Sequence, residues 1–271
     1  MVLAGCTQQQ LRGFLPGKPG TTSTTDGTVA LWVDSWIVLL LVGGITWALI
    51  IWAVIMYRRR KGQTGLPVQL RYNMPIEVFY TALPLILVLG FFAFTVKQQD
   101  AVEATYKHPD VTVEVVGKQW AWDFNYVNAN VYSPGIQAQS GVATGTVVEK
   151  DIPTLYLPVN SDITIQLKSR DVAHSFWVID FLYKKDLIPG KTNYMSVHPE
   201  RTGTYAGKCA ELCGEYHSSM LFNVKVVTKA KYAAYIASLK AAGDVGQLSD
   251  TYNRNTNDPG NTAPATDAAK G

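Results

Sequence analysis

Two cysteines, a histidine and a methionine lie within one segment of twelve residues in the C-terminal third of this chain. Cys209 and Cys213 are four residues apart, and His217 and Met220 follow them. Thiolate, imidazole and thioether groups are soft ligands, and soft ligands select copper over the ions that prefer oxygen. The types and spacing of these side chains therefore predict a metal site that suits copper.

Three other interpretations of this segment stay open at this point. The two cysteines would form a disulfide in an oxidising compartment, or they would bind a structural zinc ion together with His217 and a second histidine. The third interpretation is that these residues are unrelated core and surface positions. The disulfide and the zinc site both leave Met220 without a role, and we favour copper for that reason.

A copper site of this kind needs a further imidazole, and His174 is the best candidate. It opens a predicted strand about 35 residues upstream of the cysteine pair, as the first ligand does in copper sites on β-sandwiches. A lone histidine in a strand is more often a hydrogen-bonded core residue. The ligand-rich segment downstream favours the metal-binding role instead.

The chain also has two apolar runs that are long enough to cross a membrane. Residues 35–57 and 78–96 form uncharged stretches of 23 and 19 residues, and a bilayer core of about 30 Å requires about 20 helical residues. Two buried helices of a soluble core would be shorter and would show a polar face. Residues 58–71 carry five bases and no acid, so the positive-inside rule predicts a cytoplasmic loop with both termini outside.

The composition excludes several classes of protein. Hydrophobic residues make up 47% and charged residues 17% of the chain, against about 25% charged residues in an ordinary soluble domain. A disordered chain cannot be this apolar. The net charge of +3 comes without a long basic tract, so the chain lacks the electrostatic footprint of a nucleic-acid-binding protein.

After Lys97 the sequence changes to short alternating runs that are separated by turn residues. Residues 111–115 and 163–167 alternate between apolar and polar side chains. Further strand candidates are residues 155–159, 174–179 and 221–227. Several short strands within about 130 residues predict an all-β sandwich or barrel.

The chain begins with Val2–Cys6, which resembles a bacterial lipoprotein cleavage box with Cys6 as the lipidated residue. Few residues precede this box, so we expect a truncated lipoprotein signal. The alternative is that Cys6 is accidental.

The chain is predicted to have five segments. Residues 1–27 are a truncated signal and flexible segment, 28–97 a transmembrane hairpin, and 98–228 an extracytoplasmic β domain with a long excursion at 128–154. Residues 229–240 form a short helix and 241–271 a disordered tail.

The ligand spacing and the two-helix anchor together resemble one family. The pattern C-x-E-x-C-x-x-x-H-x-x-M over residues 209–220, with His174 upstream, is similar to the dinuclear CuA signature of subunit II of haem-copper cytochrome c oxidases. The resemblance extends from the helix hairpin to about Thr228 and is to the bacterial aa3-type, actinobacterial-like members. It implies a membrane-anchored all-β fold, in which a two-helix transmembrane hairpin precedes a cupredoxin-like Greek-key β-barrel outside the membrane.

The resemblance also implies a role for each ligand. Its implied copper ligands are His174, Cys209, Glu211, Cys213, His217 and Met220. The two thiolates would bridge both copper ions and each imidazole would bind one, while the thioether and the backbone carbonyl of Glu211 would be weak outer ligands. The Glu211 carboxylate would bind Mg²⁺ or Mn²⁺ at the interface with subunit I, whereas the alternative for this side chain is a solvated acid.

Trp120 and Glu77 are two further positions to which the resemblance assigns roles. Residues 119–122, Gln-Trp-Ala-Trp, are similar to the family's aromatic segment, in which the first tryptophan is the point where electrons enter. Two tryptophans that alternate on a strand would also place one of them in the core. Glu77, at the start of the second apolar run, is similar to the glutamate at the mouth of a proton pathway. The alternative is an acid that snorkels to water.

The partners follow from the same resemblance. The chain would accept electrons from a c-type cytochrome and pass them to haem in subunit I, where O₂ is reduced to water with proton translocation. Residues 101–240 carry 13 acids and 14 bases, whereas a docking face for a basic, diffusing cytochrome would be acidic. Lys118 and Ala121 also replace a histidine and an aromatic residue that are common in the family.

We therefore expect a tethered donor in a bc complex–oxidase supercomplex, besides the other oxidase subunits and membrane lipid. Two alternatives to this function stay open. One is a copper-binding membrane protein for copper delivery, and the other is the CuA subunit of a nitric oxide reductase.

Overall fold

The computed structural model describes residues 5, 7–66, 69–135, 140–141, 146–147 and 152–251. The chain forms two compact units. The helical unit comprises the residues up to Leu15 together with Gly27–Ala101, and the β unit comprises Pro16–Asp26 together with the residues from Val102 onward. All of the predicted copper ligands belong to the β unit. The lipidation predicted at Cys6 concerns a position outside the described residues.

Two long apolar helices dominate the helical unit. Helix α1 is a single turn over Gln8–Leu11, whereas α2 covers Thr25–Met56 and α3 covers Met74–Glu103. At a rise of 1.5 Å per residue the long helices measure about 48 Å and about 45 Å, which exceeds the bilayer core of about 30 Å. Both helices qualify as membrane spans by length and composition, and their most apolar windows are not buried. They begin before the predicted runs because those runs are bounded by Asp34 and Glu77, one inside each helix, and because side chains cap the first turn of α3.

The start of α3 illustrates such a cap. The side chain of Asn73 accepts a hydrogen bond from the backbone N–H of Ile76 at 3.5 Å, and Glu77 Oε1 accepts one from the N–H of Asn73 at 2.8 Å. The first-turn N–H groups of a helix have no partner within the helix. These side chains supply partners in this turn, so the helix begins at Met74.

The β unit contains twelve strands among its described residues and one helix, α4, over Lys229–Ala242. The strands are β1 Val111–Lys118, β2 Ala121–Tyr126, β3 Val131–Ser133, β4 Ser140–Gly141, β5 Thr146–Val147, β6 Thr154–Pro158, β7 Ile163–Ser169, β8 His174–Val178, β9 Tyr183–Leu187, β10 Asn193–Val197, β11 Gly203–Cys209 and β12 Leu221–Val227. Each of the five predicted strands has a counterpart here. Most of the excursion predicted at 128–154 lies outside the described residues.

Two five-stranded sheets form the body of the β unit. Their strand orders are β10-β7-β1-β2-β3 and β6-β12-β11-β8-β9, and β4 pairs with β5 in a separate hairpin. The strands β1 and β7 are parallel, as are β6 and β12, and the other ladders are antiparallel. The parallel pairs join strands that are distant in sequence, so the chain crosses between the sheets rather than winding up and down.

Apolar side chains from both sheets form the core between them. Strand β7 buries every second residue, which is the physical basis of its alternating sequence. Phe176 on β8 stacks on Phe222 on β12 with ring centroids 4.4 Å apart, and Trp122 on β2 meets both rings edge-on. Trp122 also lies 6.1 Å from the imidazole of His174. The aromatic core therefore forms the floor of the predicted metal site.

The segment before α2 is ordered against the β unit, which differs from the flexible segment predicted for residues 1–27. Thr22 forms a β-bridge with Pro199. The N–H of Ser23 donates to the carbonyl of His198 at 3.1 Å, and the N–H of Glu200 donates to the carbonyl of Thr21 at 3.1 Å. Composition predicts flexibility for a stretch rich in Thr, Gly and Pro. Backbone pairing with a strand does not depend on side-chain type, so composition cannot show it.

The segment after α4 also packs on the β unit, although residues 241–271 were predicted to form a disordered tail. Helix α4 ends at Ala242 and is capped by Gly243, whose φ of +88° suits glycine. Leu248 is buried, and its N–H and carbonyl pair with the side chain of Asn125 at 2.8 and 2.9 Å. Asp250 forms an ion pair with Lys168 at 3.1 Å. The buried side chain of Leu248, the amide of Asn125 and the ion pair of Asp250 thus hold this segment on the β unit, although its composition is otherwise polar.

We expect Asn125→Ala to loosen this C-terminal segment. The change leaves the N–H and carbonyl of Leu248 without their buried partners, which costs about 1–3 kcal/mol. In the full-length protein, thermolysin should cleave before Leu248 faster than in the wild type. Asn193→Ala is the matched control, because Asn193 Nδ2 also donates to a backbone carbonyl, that of Asp186 at 2.7 Å, but at an exposed position. Equal cleavage of the two variants would contradict this role of Asn125.

Candidate metal centre

The predicted ligands come together because β8, β11 and β12 are neighbours in one sheet. His174 is the first residue of β8, and Cys209 is the last residue of β11. The antiparallel register of these strands sets Phe176 opposite Cys209. The next strand, β12, starts directly after Met220, whose carbonyl accepts a hydrogen bond from the N–H of Cys209 at 3.0 Å. Residues 210–219 therefore form a closed loop at one end of the β unit, beside His174.

The two thiols lie at the centre of this loop. Their Sγ atoms are 3.8 Å apart, and both cysteines are free. His174 Nδ1 lies 3.8 Å from the sulfur of Cys209, and His217 Nδ1 lies 3.5 Å from the sulfur of Cys213. Each thiol thus has one imidazole beside it. The ligand atoms of His174, Cys209 and Cys213 all lie within 4.8 Å of one another.

A thioether and a carbonyl complete the set of donor atoms. The Sδ atom of Met220 lies 3.7 Å from the sulfur of Cys213, and the backbone carbonyl of Glu211 lies 3.2 Å from the sulfur of Cys209. Met220 is fully buried, whereas the side chain of Glu211 is exposed. The structure thus brings together all six predicted ligand positions, with the backbone rather than the carboxylate of Glu211 facing the sulfurs.

Burial and hydrogen bonding set the charge of this cluster. The contact with Cys213 lowers the pKa of Cys209 to about 3, against the effect of burial, and His174 adds to this lowering. The same contact, together with burial, raises the pKa of Cys213. Burial opposes protonation of His174, but hydrogen bonds to Asp171 and Cys209 outweigh it and raise the pKa of His174. These contacts therefore favour the thiolate form of Cys209 by lowering its pKa.

The donor set fits copper better than it fits a disulfide or a structural zinc ion. A disulfide would leave both imidazoles and the thioether unused, and the thiols are free in this structure. A structural zinc site takes four ligands in a closed tetrahedron, whereas this cluster has six donor atoms, namely the two sulfurs and four further atoms beside them. Thiolate, imidazole and thioether donors together are the soft set that copper prefers. The residues therefore fit a copper centre.

Trp120 lies directly above this loop. With Gln119 it forms the two-residue turn between β1 and β2, so it is not on a strand. Its indole N–H donates to the carbonyl of Cys213 at 3.3 Å, and the side-chain amide of Gln119 donates to the same carbonyl at 2.7 Å. The half-buried Trp120 ring meets Tyr216 edge-on at 4.9 Å. The core position among the two tryptophans is that of Trp122, which is fully buried.

Gly214 explains how Trp120 approaches the loop so closely. This residue has a φ of +125°, and a Cβ atom there would lie 3.1 Å from the indole of Trp120 and 3.1 Å from the amide of Gln119. Both the backbone conformation and the close contact favour glycine at this position.

Lys118 has a structural role rather than a place on a docking surface. Its Nζ forms an ion pair with Asp123 Oδ1 at 2.7 Å, and both side chains are buried. Burial raises the pKa of Asp123, although Lys118 acts in the opposite direction. The same carboxylate accepts a hydrogen bond from the N–H of Gly135 at 2.9 Å. Lys118, which stands where a histidine is common in the family, therefore contributes to the packing of the outer face of this sheet.

Asp171 is the closest polar neighbour of His174, a role that no sequence pattern considered above predicted. Its Oδ1 atom lies 2.8 Å from His174 Nε2, and its Oδ2 atom accepts a hydrogen bond from the backbone N–H of Gln119 at 2.7 Å. The signal that could have found it is an acid three residues before a candidate metal-binding histidine, since such acids often orient a ligand imidazole. Tyr216, beneath Trp120, carried no comparable signal.

Comparison with known proteins identifies the family. Residues 111–227 match the family model of the cytochrome c oxidase subunit II periplasmic domain. A probable cytochrome c oxidase subunit 2 of Streptomyces avermitilis is 40% identical, over 93% of this chain and 89% of the relative. The cytochrome c oxidase subunit 2 of Mycobacterium tuberculosis is 31% identical, over 87% of this chain and 77% of the relative.

A solved structure is also similar. The periplasmic domain of subunit II of a Bradyrhizobium japonicum cytochrome oxidase is 30% identical and covers 50% of this chain and 96% of that domain, with a TM-score of 0.43.

The resemblance predicted a transmembrane hairpin followed by a cupredoxin-like domain. The two apolar helices and the match of the β unit to the family model confirm this architecture. This chain belongs to the cytochrome c oxidase subunit II family.

Proposed function

We propose that this chain is the electron-accepting subunit of a respiratory haem-copper oxidase. It takes single electrons from a c-type cytochrome and passes them to haem in subunit I, which reduces O₂ to water and moves protons across the membrane. The observation that carries this proposal is the convergence of two thiols, two imidazoles, a thioether and a backbone carbonyl in one loop. Family membership supports the same function.

Each donor has a defined part in the proposed centre. Cys209 and Cys213 would hold a pair of copper ions together with His174 and His217, and Met220 and the carbonyl of Glu211 would be weaker donors to it. Such a pair would supply single-electron transfer with little change in geometry. The protein contributes a rigid setting, because the loop closes between paired strands and His174 and Met220 are fully buried.

Trp120 is the proposed point at which electrons enter. Its half-buried ring reaches the surface of the β unit and donates a hydrogen bond to the backbone of the ligand Cys213. One hydrogen bond and a short covalent path thus connect this ring with a bridging thiolate. The exposed side chain of Leu212 lies in the same loop. This arrangement supports electron transfer from a donor that docks over Trp120.

The buried ligand set argues against the copper-delivery alternative. A delivery protein must exchange its ligands with those of a recipient, which requires access to the metal. Here His174, Cys209, Cys213 and Met220 are all at least 97% buried, so the proposed centre retains copper. A nitric oxide reductase would use a similar centre, and the substrate of the assembled complex distinguishes the two enzymes.

The proposed membrane topology rests on charge and hydropathy. Helices α2 and α3 cross the bacterial plasma membrane, the basic loop between them is cytoplasmic, and both termini and the β unit are extracytoplasmic. A lipid anchor at Cys6 would add a second attachment. We also propose residues 1–27, 28–97, 98–228, 229–240 and 241–271 as the functional segments, with parts of the first and the last segment packed on the copper domain.

Two acids have proposed roles at partner subunits. Glu77 lies in the first turn of α3, where it is half-buried and accepts a backbone hydrogen bond; we propose that it also admits protons to a pathway in the oxidase. The exposed carboxylate of Glu211 is proposed to bind Mg²⁺ or Mn²⁺ at the interface with subunit I.

The electron donor is proposed to be a cytochrome c domain tethered in a bc complex–oxidase supercomplex. Turnover with it should then depend weakly on ionic strength.

The first test is the copper content and electron paramagnetic resonance spectrum of the detergent-solubilised full chain. We expect two copper ions per chain and hyperfine structure from one electron that is shared equally between them. Cys213→Ser should remove this signal, because one bridging thiolate is lost. Cys6→Ser is the matched control and should keep both the copper content and the signal. A single copper with a localised spin in the wild type, or zinc alone, would contradict the proposed function.

A second test concerns the position of Trp120. Gly214→Ala places a methyl group against Trp120 and Gln119, so we expect at least tenfold slower electron transfer from the donor, with the copper content unchanged. Gly246→Ala is the matched control, because Gly246 also has a positive φ, +116°, but a Cβ atom there meets nothing within 4 Å. Flash-induced reduction of the copper centre measures the rate. Equal rates in both variants would contradict a role for the close contact.

A further inference from the structure

We infer that Asp171 is a positioning residue that couples the orientation of the copper ligand His174 to the placement of the turn carrying Trp120. This inference rests on the proposed function, because it concerns the same copper centre. It adds a residue outside the ligand set and a physical link between the point where electrons enter and the metal.

The two carboxylate oxygens of Asp171 hold different parts of the site. Oδ1 pairs with His174 Nε2 at 2.8 Å and accepts a hydrogen bond from the N–H of Val172 at 2.7 Å. Oδ2 accepts a hydrogen bond from the backbone N–H of Gln119 at 2.7 Å. The backbone of Asp171 is held in turn, since its N–H donates to Ser169 Oγ at 3.2 Å. Asp171 is 5% exposed, so these contacts are shielded from water.

The contact with His174 determines which ring nitrogen is free for a metal. A carboxylate accepts hydrogen bonds, so it favours the tautomer with the proton on Nε2. Nδ1 then carries the lone pair, and this atom is the one that faces Cys209 Sγ at 3.8 Å. A carboxylate at the remote nitrogen also fixes the ring orientation and increases the basicity of the ligand. Asp171 therefore prepares His174 for copper before copper arrives.

The contact with Gln119 also fixes the position of the β1–β2 turn, which lies above the loop of residues 210–219. The backbone of Gln119 is bound to Asp171, while its side-chain amide donates to the carbonyl of Cys213 at 2.7 Å. The next residue, Trp120, donates to that same carbonyl. The carboxylate thus joins the β7–β8 connection directly to the β1–β2 turn, and the side chains of that turn bind the loop of residues 210–219. A shift of Asp171 would move both the imidazole and the indole relative to the sulfurs.

The chemistry of these contacts requires a carboxylate. All three donors are N–H groups, and only an ionised acid offers acceptors on both of its oxygens. An asparagine would turn its NH₂ group toward either His174 or Gln119 and would leave that N–H without an acceptor. A buried N–H group without a partner is costly. Asp171→Asn is therefore close to isosteric but removes one of the two connections.

The experiment compares Asp171→Asn with the wild type in the full chain and in the assembled oxidase. Loss of a partner of a ligand histidine typically lowers metal affinity by about 10–100-fold, and we expect a decrease of about tenfold or more in competition with a copper chelator. The hyperfine pattern should change as well. In the oxidase, electron transfer from the donor should slow by about tenfold while the KM for the donor stays within about twofold of wild type.

Glu215→Gln is the matched control. It removes the same charge from the exposed part of the ligand loop, and among the described residues no hydrogen bond joins Glu215 to His174 or Gln119. It should leave copper affinity, hyperfine pattern and electron-transfer rate unchanged. Equal changes in both variants would show a general effect of charge and would overturn the inference, as would a wild-type spectrum and rate in Asp171→Asn.

Asp171→Glu covers the case in which Asp171→Asn does not fold. It keeps the charge but moves the carboxylate outward, so we expect a folded chain with a changed hyperfine pattern and slower electron transfer. A wild-type spectrum and rate in Asp171→Glu would overturn the inference. Failure of the wild type to bind a copper pair would instead contradict the proposed function, so the two failures are distinguishable.

Discussion

The pairing of β8 with β11 is the constraint on which the metal centre depends. Residues 209–220 supply two thiols, one imidazole and a thioether. The second imidazole comes from His174, which lies 35 residues before Cys209 in the chain. The register that sets Phe176 opposite Cys209 brings His174 to the edge of the loop. The adjacent β11–β12 pairing closes the loop itself. A slip of one residue in either ladder would turn ligands to the wrong face of the sheet.

The aromatic core serves the site as well as the fold. Trp122, Phe176 and Phe222 pack edge-on and stacked on one another, and Trp122 also contacts His174; beside this core Cys209 and Cys213 are almost fully buried. In such a setting each polar contact is stronger than it would be in water. The carboxylate of Asp171 and its three N–H donors are therefore a firm connection rather than a surface contact. A rigid, dry ligand set is what single-electron transfer with little change in geometry requires.

Sequence patterns predicted local features well and long-range order poorly. The apolar runs and the alternation of β7 follow from helix and strand periodicity, so both could be predicted. The ordered segments around Thr22 and Leu248 could not, because their polar composition is typical of flexible chain. Backbone pairing with β-unit residues and the buried amide of Asn125 hold them in place. The buried ion pair between Lys118 and Asp123 is likewise apparent only in the folded structure.

The sequence by itself determined the kinds of donor atoms, the loop that carries most of them and the presence of two apolar helices long enough to span a membrane. These features depend on residue type and short spacing, which are local properties. Tertiary structure decided which histidine lies beside which thiol, which of two nearby tryptophans reaches the surface, and that Asp171 joins His174 to Gln119. The contacts of Asp171 with Gln119 and of His174 with Cys209 join residues that are 52 and 35 positions apart in the chain. Sheet register, which no short sequence pattern encodes, creates those contacts.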